Sequence, residues 1–577
     1  VKKHRLSCFA RRQFLLSFLA MTATVLMDYV GELSGTFIAG RMVGEMGLSA
    51  INLLQPFWKA ASFLSYLCTC GLVFMVGEAM GRFDEEAANK YFSMSLLMSV
   101  AVGVLMFAVS SIVFPLYLRS MHLPQELSDL ATQYFGTQRF AILMLPLVRI
   151  VIESCYTDGD SSQLILGYSS CFVINILASI LFTRLIGIAG VGLGLFLGYA
   201  SELLICAVHF LKKTNSLHFH WYFSWKAAKQ FVAYAMTDAI IHLCLMAITL
   251  VLNYWVVFRF GSEYLPVLSV VFFALELTIV FDSISQAFTP IASIYLGEES
   301  YSNENTLIWY SLAIALAEGA LMMILLFVFA PAIIGLMDIQ TQELFRYCVI
   351  SIRILAFSMP LISSFMILTS QFVLVNRFDL SVRLTVIKDF LSIAVFTILL
   401  SCLFGIIGIM VGILVSYGTF LGITLLYLRR HHKGQTFPWL APLPICPEFT
   451  CGYQVREKDI IQAVAQAHEF MVQEKVERAT MQRVDLLLEE LSMLLKDKNP
   501  ESKHLLMEYS IFVREQEVQV IIKDSGEPLD LTVEGDALQN FRAYFVANMM
   551  AASTYEHRQY LMTMGFNRSR FVFPRTA

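Results

Sequence analysis

The chain has 577 residues, 57% hydrophobic and only 15% charged, with a net charge of −4 and a mean hydropathy of +0.65. Soluble domains carry about 25% charged residues, so this composition excludes a disordered chain, a collagen-like fibre and a single soluble enzyme domain. The mildly acidic balance argues against a nucleic-acid partner. The charge is also uneven: 35 of the 86 charged residues lie in the 132 residues from Cys446 onward, about 27% and a soluble value. Before Cys446 the share is about 11%, as in a membrane protein. Eleven Cys spread over this length, several inside apolar runs, form no disulfide framework.

An apolar stretch of about 20 residues crosses a bilayer as a helix, because its backbone polar groups must be satisfied internally. Twelve such stretches are predicted, near 14–37, 47–77, 91–115, 131–154, 163–186, 188–211, 230–258, 265–295, 307–332, 345–375, 380–402 and 405–428. The first is followed at once by further spans and lacks a small-residue cleavage pattern, so it reads as a span. Seventeen Lys and Arg, Lys388 among them, fall on the side of the N-terminus and five on the other. By the positive-inside rule both termini are cytoplasmic.

A Pro-rich linker, Phe437 to Pro447, leads into the soluble tail. Helices are predicted for Asp459 to Val476 and Met481 to Lys496, from apolar positions at helical spacing. Strands are predicted for Leu505 to Val513 and Glu517 to Lys523, from alternation. A turn at Asp524–Pro528, a helix over Phe541–Met550 and a strand at Phe571–Phe573 follow. Cys446 and Cys451 with His431 and His432 do not have the spacing of common zinc sites, and no metal site is read there.

The apolar part repeats itself. Leu185-Ile-Gly-Ile-Ala-Gly190 is echoed by Leu403-Phe-Gly-Ile-Ile-Gly408, and Gly194 and Tyr199 by Gly412 and Tyr417, at an offset of 218. Pro115 and Pro331, Gly81 and Gly297, Glu126 and Glu343, and Pro146 and Pro360 recur at nearly the same offset. A period of six spans gives two halves of one topology, related by an axis along the membrane normal, with a cavity between them. A solute site between two rocking lobes is a transporter's architecture.

Acids inside spans are costly and are functional candidates by default. Asp28 and Glu32 lie four apart on one face of the first span. A carboxylate in a low-dielectric cavity can load and release a proton, and two together can share a proton or hold a cation. Asp238 and His242, also four apart, Glu276 and Asp282 in span eight, and Glu318 in span nine are weaker cavity candidates. Asn52 and Gln55 in span two reach either solute or a neighbouring helix. Arg353 is expected to pair with an acid.

At this point the residues resemble a known family. Phe37–Ala50, FIAGRMVGEMGLSA, resembles the end of span one and the following loop in MATE (multidrug and toxic compound extrusion) transporters. Met80–Asn89 resembles that family's acidic loop after span two, and Asp158-Gly159 followed by Asn175 its fifth span. The resemblance covers about residues 10–430. It implies export of solutes, often organic cations or drugs, driven by an H⁺ or Na⁺ gradient, with Asn175 at the ion site. The acids usual in the family fall here at Gly35 and Ser179. Asp28 and Glu32 stand as replacements.

The tail resembles the GHKL ATPase fold of anti-sigma-factor serine kinases. Glu489-Glu490-Leu491 is similar to the start of its N-box helix, Asp524-x-Gly526-x-Pro528 to its adenine-binding turn, and Gly565-Phe566-Asn567 to its closing segment. The Mg²⁺-holding Asn is replaced by Leu494, and Ala537–Arg542 has no Gly to wrap phosphates. Glu490, Asp524 and Gly526 are the nucleotide candidates of a degenerate domain used for regulation or protein contact.

The sequence therefore predicts an all-α membrane protein of twelve transmembrane helices in two six-helix repeats, plus a small α+β cytosolic GHKL-like domain. The lobes are 1–220 and 221–433, the linker 434–450 and the tail domain 451–577. The expected protein is a bacterial cytoplasmic-membrane antiporter, not an enzyme and without a resident cofactor. Its partners are the membrane, a small-molecule solute and a regulatory protein at the tail. Two alternatives share the architecture: a membrane sensor with a partner-binding tail, and a flippase of lipid-linked precursors.

Overall fold

The computed structural model describes residues 6–575 apart from 82–84, 158–160, 213–216, 338, 340, 376, 501, 503, 528–545, 547–552 and 561–565. Long apolar stretches fold into long helices. They are α1 (Cys8–Val43), α2 (Glu45–Gly81), α3 (Glu85–Ser120), α4 (Gln125–Thr157), α5 (Ser161–Ile186), α6 (Ala189–Ala207) and α7 (Trp225–Arg259). Then come α8 (Leu265–Glu276), α9 (Asp282–Gly297), α10 (Tyr301–Leu336), α11 (Gln342–Ala356), α12 (Met359–Leu374), α13 (Phe378–Val386), α14 (Ile393–Phe404) and α15 (Ile407–His431). Each of the twelve expected stretches falls largely on one helix or one run of helices. Among the described residues nine helices or runs are long and apolar enough to cross a membrane, and α11 with α12, bent by 43°, makes a tenth.

Three stretches are broken rather than continuous. Span eight is interrupted by a 3-10 turn, Leu277–Phe281, between α8 and α9. Span ten breaks before Met359, where Pro360 opens α12. Span eleven contains a π-helical turn, Ile387–Ser392. Lys388, counted above as a cytoplasmic loop charge, sits in that turn and is buried. A Lys near the start of a span looks like a loop residue in sequence, and only the packing around it corrects the reading.

The internal repeat has a structural cause. Gly187 and Gly405 join α5 to α6 and α14 to α15 with φ of +67° and +64°, where a Cβ would be strained. A Cβ at Gly190 would meet the Thr183 nitrogen at 2.1 Å, and one at Gly408 the Leu400 oxygen at 2.0 Å. Both hairpins thus bring two backbones into contact through the same glycine, and Gly is conserved between the halves because nothing larger fits.

The chain forms two compact units. One comprises Ala23–Asp282 and Ala315–Tyr427. Its core runs from Leu48, Leu53 and Phe114 through Val267, Val271 and Phe281 to Ile352 and Met410. The other comprises Val1–Thr22, Ser283–Ile314 and Leu428–Ala577.

In the second unit β1 (Glu448–Gln454), α16 (Glu457–Gln473), α17 (Arg478–Lys498), β2 (Leu506–Val513), β3 (Glu517–Asp524), β4 (Thr554–Tyr560) and β5 (Phe566–Pro574) form a five-stranded antiparallel sheet. Its order is β1-β2-β3-β5-β4. Residues 448–450, assigned above to the linker, open β1, and β4 was not expected. Both are edge strands whose sequences, EFTCGYQ and TYEHRQY, lack a clean apolar alternation. The helix expected over Phe541–Met550 lies, apart from Val546, outside the described residues.

One sheet face carries Met507, Tyr509, Ile511, Val518, Val520, Ile522, Phe571 and Phe573, and packs with Val484, Leu487, Leu488 and Leu491 of α17. The opposite face carries Glu508, Ser510, Gln519 and Lys523 and is buried too. The ends of α1, α9 and α10 cover it: Ser7 and Tyr295 donate to Glu508, and Lys523 pairs with Glu298 at 2.7 Å. Asn303 donates to Glu448 and Thr450 at 2.6 Å each.

Candidate functional site

In the first unit, α1, α2, α4, α6 and α8 surround a small cavity of about 40 Å³. Gly35 of α1, Gln55 and Trp58 of α2, Tyr134 and Gln138 of α4, and Glu276 of α8 line it. The amide oxygens of Gln55 and Gln138 are buried without a hydrogen-bond partner among the described residues. Such acceptors need a partner, and a solute or water supplies one. Glu276 ends α8 at the 3-10 turn and pairs with Lys59 of α2 at 2.9 Å, both largely buried. The cavity therefore presents two amides, two aromatic rings and the Glu276 carboxylate beside apolar side chains, with room for a water rather than a whole solute.

The other candidates distribute around it. Asn52, one turn before Gln55, donates to Asn253 of α7 at 2.9 Å, and Asn253 donates to Tyr117 at 3.2 Å. This is a buried bond between helices. His242 of α7 lies against Tyr66 with ring centroids 4.4 Å apart, and its Nδ1 has no partner among the described residues. Asp282 begins α9, half-buried, at the far end of the turn that Glu276 opens. Asn175 accepts from Ser179 at 3.1 Å within α5. Gly194 packs on Ser179 and Gly198 on Asn175, in the α5–α6 contact. The side chains of Asp28, Glu32 and Asp238 lie outside the described residues; α1 and α7 run through their positions as helix. The Glu318 carboxylate is unpartnered among the described residues. Arg353 does not meet an acid there: it lies over the Phe327 ring at 5.3 Å and donates to the Phe327 carbonyl.

Sequence reasoning passed over six charges inside spans: Lys59, Arg139, Arg149, Glu153, Glu202 and Asp389. Arg149 and Glu153 are four apart on α4 and interact electrostatically, and both Lys59 and Arg149 place positive potential on His242. The rule that singled out membrane acids applies equally to cations, and would have found them.

In the tail, Asp524 is buried at the end of β3. Its Oδ1 accepts from the Gly526 N–H and from Asn567 Nδ2, each at 2.9 Å. Burial pushes its carboxyl up to about 6, against the lowering effect of those two donors. Asn499 accepts from the Glu527 N–H, closing the turn from the other side. Glu490 is half-buried on α17. The Asp524–Gly526 turn is thus held by the protein's own groups.

Long apolar helices around a small polar cavity define a multi-pass membrane fold. Residues 20–181 match the MatE family model. No curated protein sequence matches the chain. Among solved structures, an inward-facing multidrug resistance MATE family transporter of the MOP superfamily superposes with a TM-score of 0.65 at 18% identity, covering 72% of this chain and 97% of its own. The outward-facing form of a MATE family transporter gives 0.62 at 18% identity, covering 73% and 96%. A MOP superfamily transporter from Pyrococcus furiosus, described as having a binding pocket of reversed polarity, gives 0.62 at 16% identity over 73% and 96%. The chain has the MATE transporter fold, and members of that family are transporters, not enzymes. The matched share of this chain leaves room for the separate sheet domain at the C-terminus.

Proposed function

We propose that the chain is a secondary antiporter of MATE type, with twelve membrane-spanning helices in two repeats, that exports small molecules against an H⁺ or Na⁺ gradient. The observation that carries this reading is the cavity: helices of the first repeat, α1, α2, α4 and α6, and α8 of the second contribute to one polar-lined space. The Lys59–Glu276 pair crosses from one repeat to the other. A change in the relation of the repeats would alter both the cavity and that ion pair. Asp28 and Glu32 on α1 are the proposed ion-coupling acids, by the cost of membrane carboxylates.

The Lys59–Glu276 pair favours one refinement. It is net neutral, with its carboxylate on the cavity wall, and suits a zwitterionic solute whose two charges meet both members of the pair. Counterflow in proteoliposomes, with ethidium in one arm and an aromatic amino acid in the other, separates these. Faster amino-acid exchange supports the refinement; exchange of ethidium alone rejects it.

The tail is read as a GHKL-like domain without phosphotransfer, acting in regulation. The internally held Asp524–Gly526 turn and Leu494 in place of a metal-binding Asn support this. Hydrolysis of Mg-ATP by the purified full chain, abolished by Asp524→Asn, would overturn it.

A further inference from the structure

The π-helical turn Ile387–Ser392 holds a second charged pair, well away in sequence from the acids considered so far. Lys388 Nζ lies 2.9 Å from Asp389 Oδ1, with both side chains at most 6% exposed. Asp389 stands about 15 Å along the helix from Asp379, where this apolar run begins. Charges so deep in a span are costly, and π turns recur at functional sites.

Packing does not require the pair. The matching stretch of the first repeat, Ser169–Ile174 on α5, reads SSCFVI and carries no charge, yet its hairpin closes through the same glycines.

The surroundings provide for two states of Asp389. Its Oδ2 is buried with no partner among the described residues. Lys388 has, besides Asp389, the faces of Phe365 on α12 and Tyr417 on α15, at 5.0 and 5.7 Å. An ammonium retains those cation–π contacts when its carboxylate is neutral. Among the described residues, the titratable groups facing Asp389 are Lys388 on its own turn, Cys244 from α7 and Tyr417 from α15; α12 offers the Phe365 ring.

We propose that Asp389 is a proton-binding site in the second repeat, with Lys388 as its built-in counter-cation. An O–H bond forms at Oδ2 when a proton enters and breaks when it leaves; no other bond changes. Loaded, the site holds Asp389 neutral and Lys388 charged on the two rings. Unloaded, the ion pair closes. The ammonium already occupies the place a metal cation would take beside Oδ1, so the site selects H⁺ over Na⁺. Its role in a transport cycle rests on the antiporter reading, whereas proton binding is measurable without flux.

Infrared difference spectroscopy of the full chain in lipid, titrated with acid, tests this. Wild type is expected to gain a protonated-carboxyl C=O band that is missing in Asp389→Asn, displaced in Asp389→Glu, and present at every pH in Lys388→Met. Asp389→Glu keeps the charge and the fold, so a general loss of structure in the first variant does not decide the matter. A band unchanged in both Asp389 variants overturns the site. Removal of the wild-type band by Na⁺ at fixed pH also overturns it, in favour of a sodium site.

Discussion

Lys59 and Glu276 are each other's partner at the cavity, and neither tolerates the loss of the other. Glu276→Gln leaves a largely buried ammonium without its 2.9 Å carboxylate, and breaking such a pair costs about 3–5 kcal/mol. Solute exchange should fall by about tenfold or more, the equivalent of ~1.4 kcal/mol in the transport barrier. Partial recovery is expected in the Lys59→Met/Glu276→Gln double variant, which removes both charges; initial exchange rates in proteoliposomes measure it. A second single-residue effect lies in the tail. The Asp524 carboxyl is raised to about 6 because burial opposes its charge. A raised carboxyl favours the neutral form in the fold, so its stabilising contribution is complete below the usual Asp range near 3.8 and disappears as pH rises through about 6. Asp524→Asn keeps the acceptor for Gly526 and Asn567 without the charge. At neutral pH it should therefore strengthen β3 by up to about 3 kcal/mol, seen as slower amide exchange there. Faster exchange would mean that the charge itself is needed by Asn567 and Gly526.

The hairpins α5–α6 and α14–α15 are the elements where sequence and packing agree most closely. Gly190→Val should push α5 from α6 and lower the folded yield sharply, since the new Cβ falls 2.1 Å from the Thr183 nitrogen. Overpacking of this kind costs about 1–3 kcal/mol or more. Gly136→Ala, with open space around it, should be neutral. Thermal unfolding of both variants in detergent compares them. These glycines were legible as a repeat because a close backbone approach admits one residue type, which leaves a trace in the sequence. Span positions were legible for a similar reason: an apolar run of sufficient length has few other uses. Gln55 and Glu276 were legible as polar residues in apolar runs. Lys388 was not, because a long cation near a helix end is ordinarily a loop or snorkelling residue; Lys59, in the middle of α2, was open to the same rule as the membrane acids. The burial of the second sheet face was also hidden. Glu508 and Lys523 read as the solvent side of alternating strands, and only the ends of α1, α9 and α10 turn that side into an interior.

At the scale of the molecule, the tail sheet and the helix ends form one compact unit, and the join between them is charged. Register puts Glu508 opposite Lys523, and Lys523 opposite Arg568, across three strands. Glu298 from the end of α9 accepts from Lys523 at 2.7 Å and from Arg568 at 2.8 Å. Burial alone would lower the Lys523 ammonium, but Glu298 and Glu508 outweigh it and hold its pKa above the ordinary value. Lys523→Met leaves Glu298 with Arg568 alone and Glu508 with only the neutral donors Ser7 and Tyr295, and loss of a buried pair of this kind costs about 3–5 kcal/mol. Release of the tail should appear as new protease cleavage within the linker and as faster exchange in β2 and β3. If the tail regulates transport, that variant changes solute flux while leaving the cavity residues intact.

The central claim is that a gradient drives solute through this fold. Full-length chain reconstituted in vesicles, loaded with a fluorescent solute that exchanges in counterflow, is to be given an imposed pH or Na⁺ gradient and then an ionophore that collapses it. Net movement against the solute gradient that stops when the ion gradient is collapsed is the predicted result. Movement that continues at the same rate without any ion gradient, or no movement of any solute tried, would contradict an antiporter.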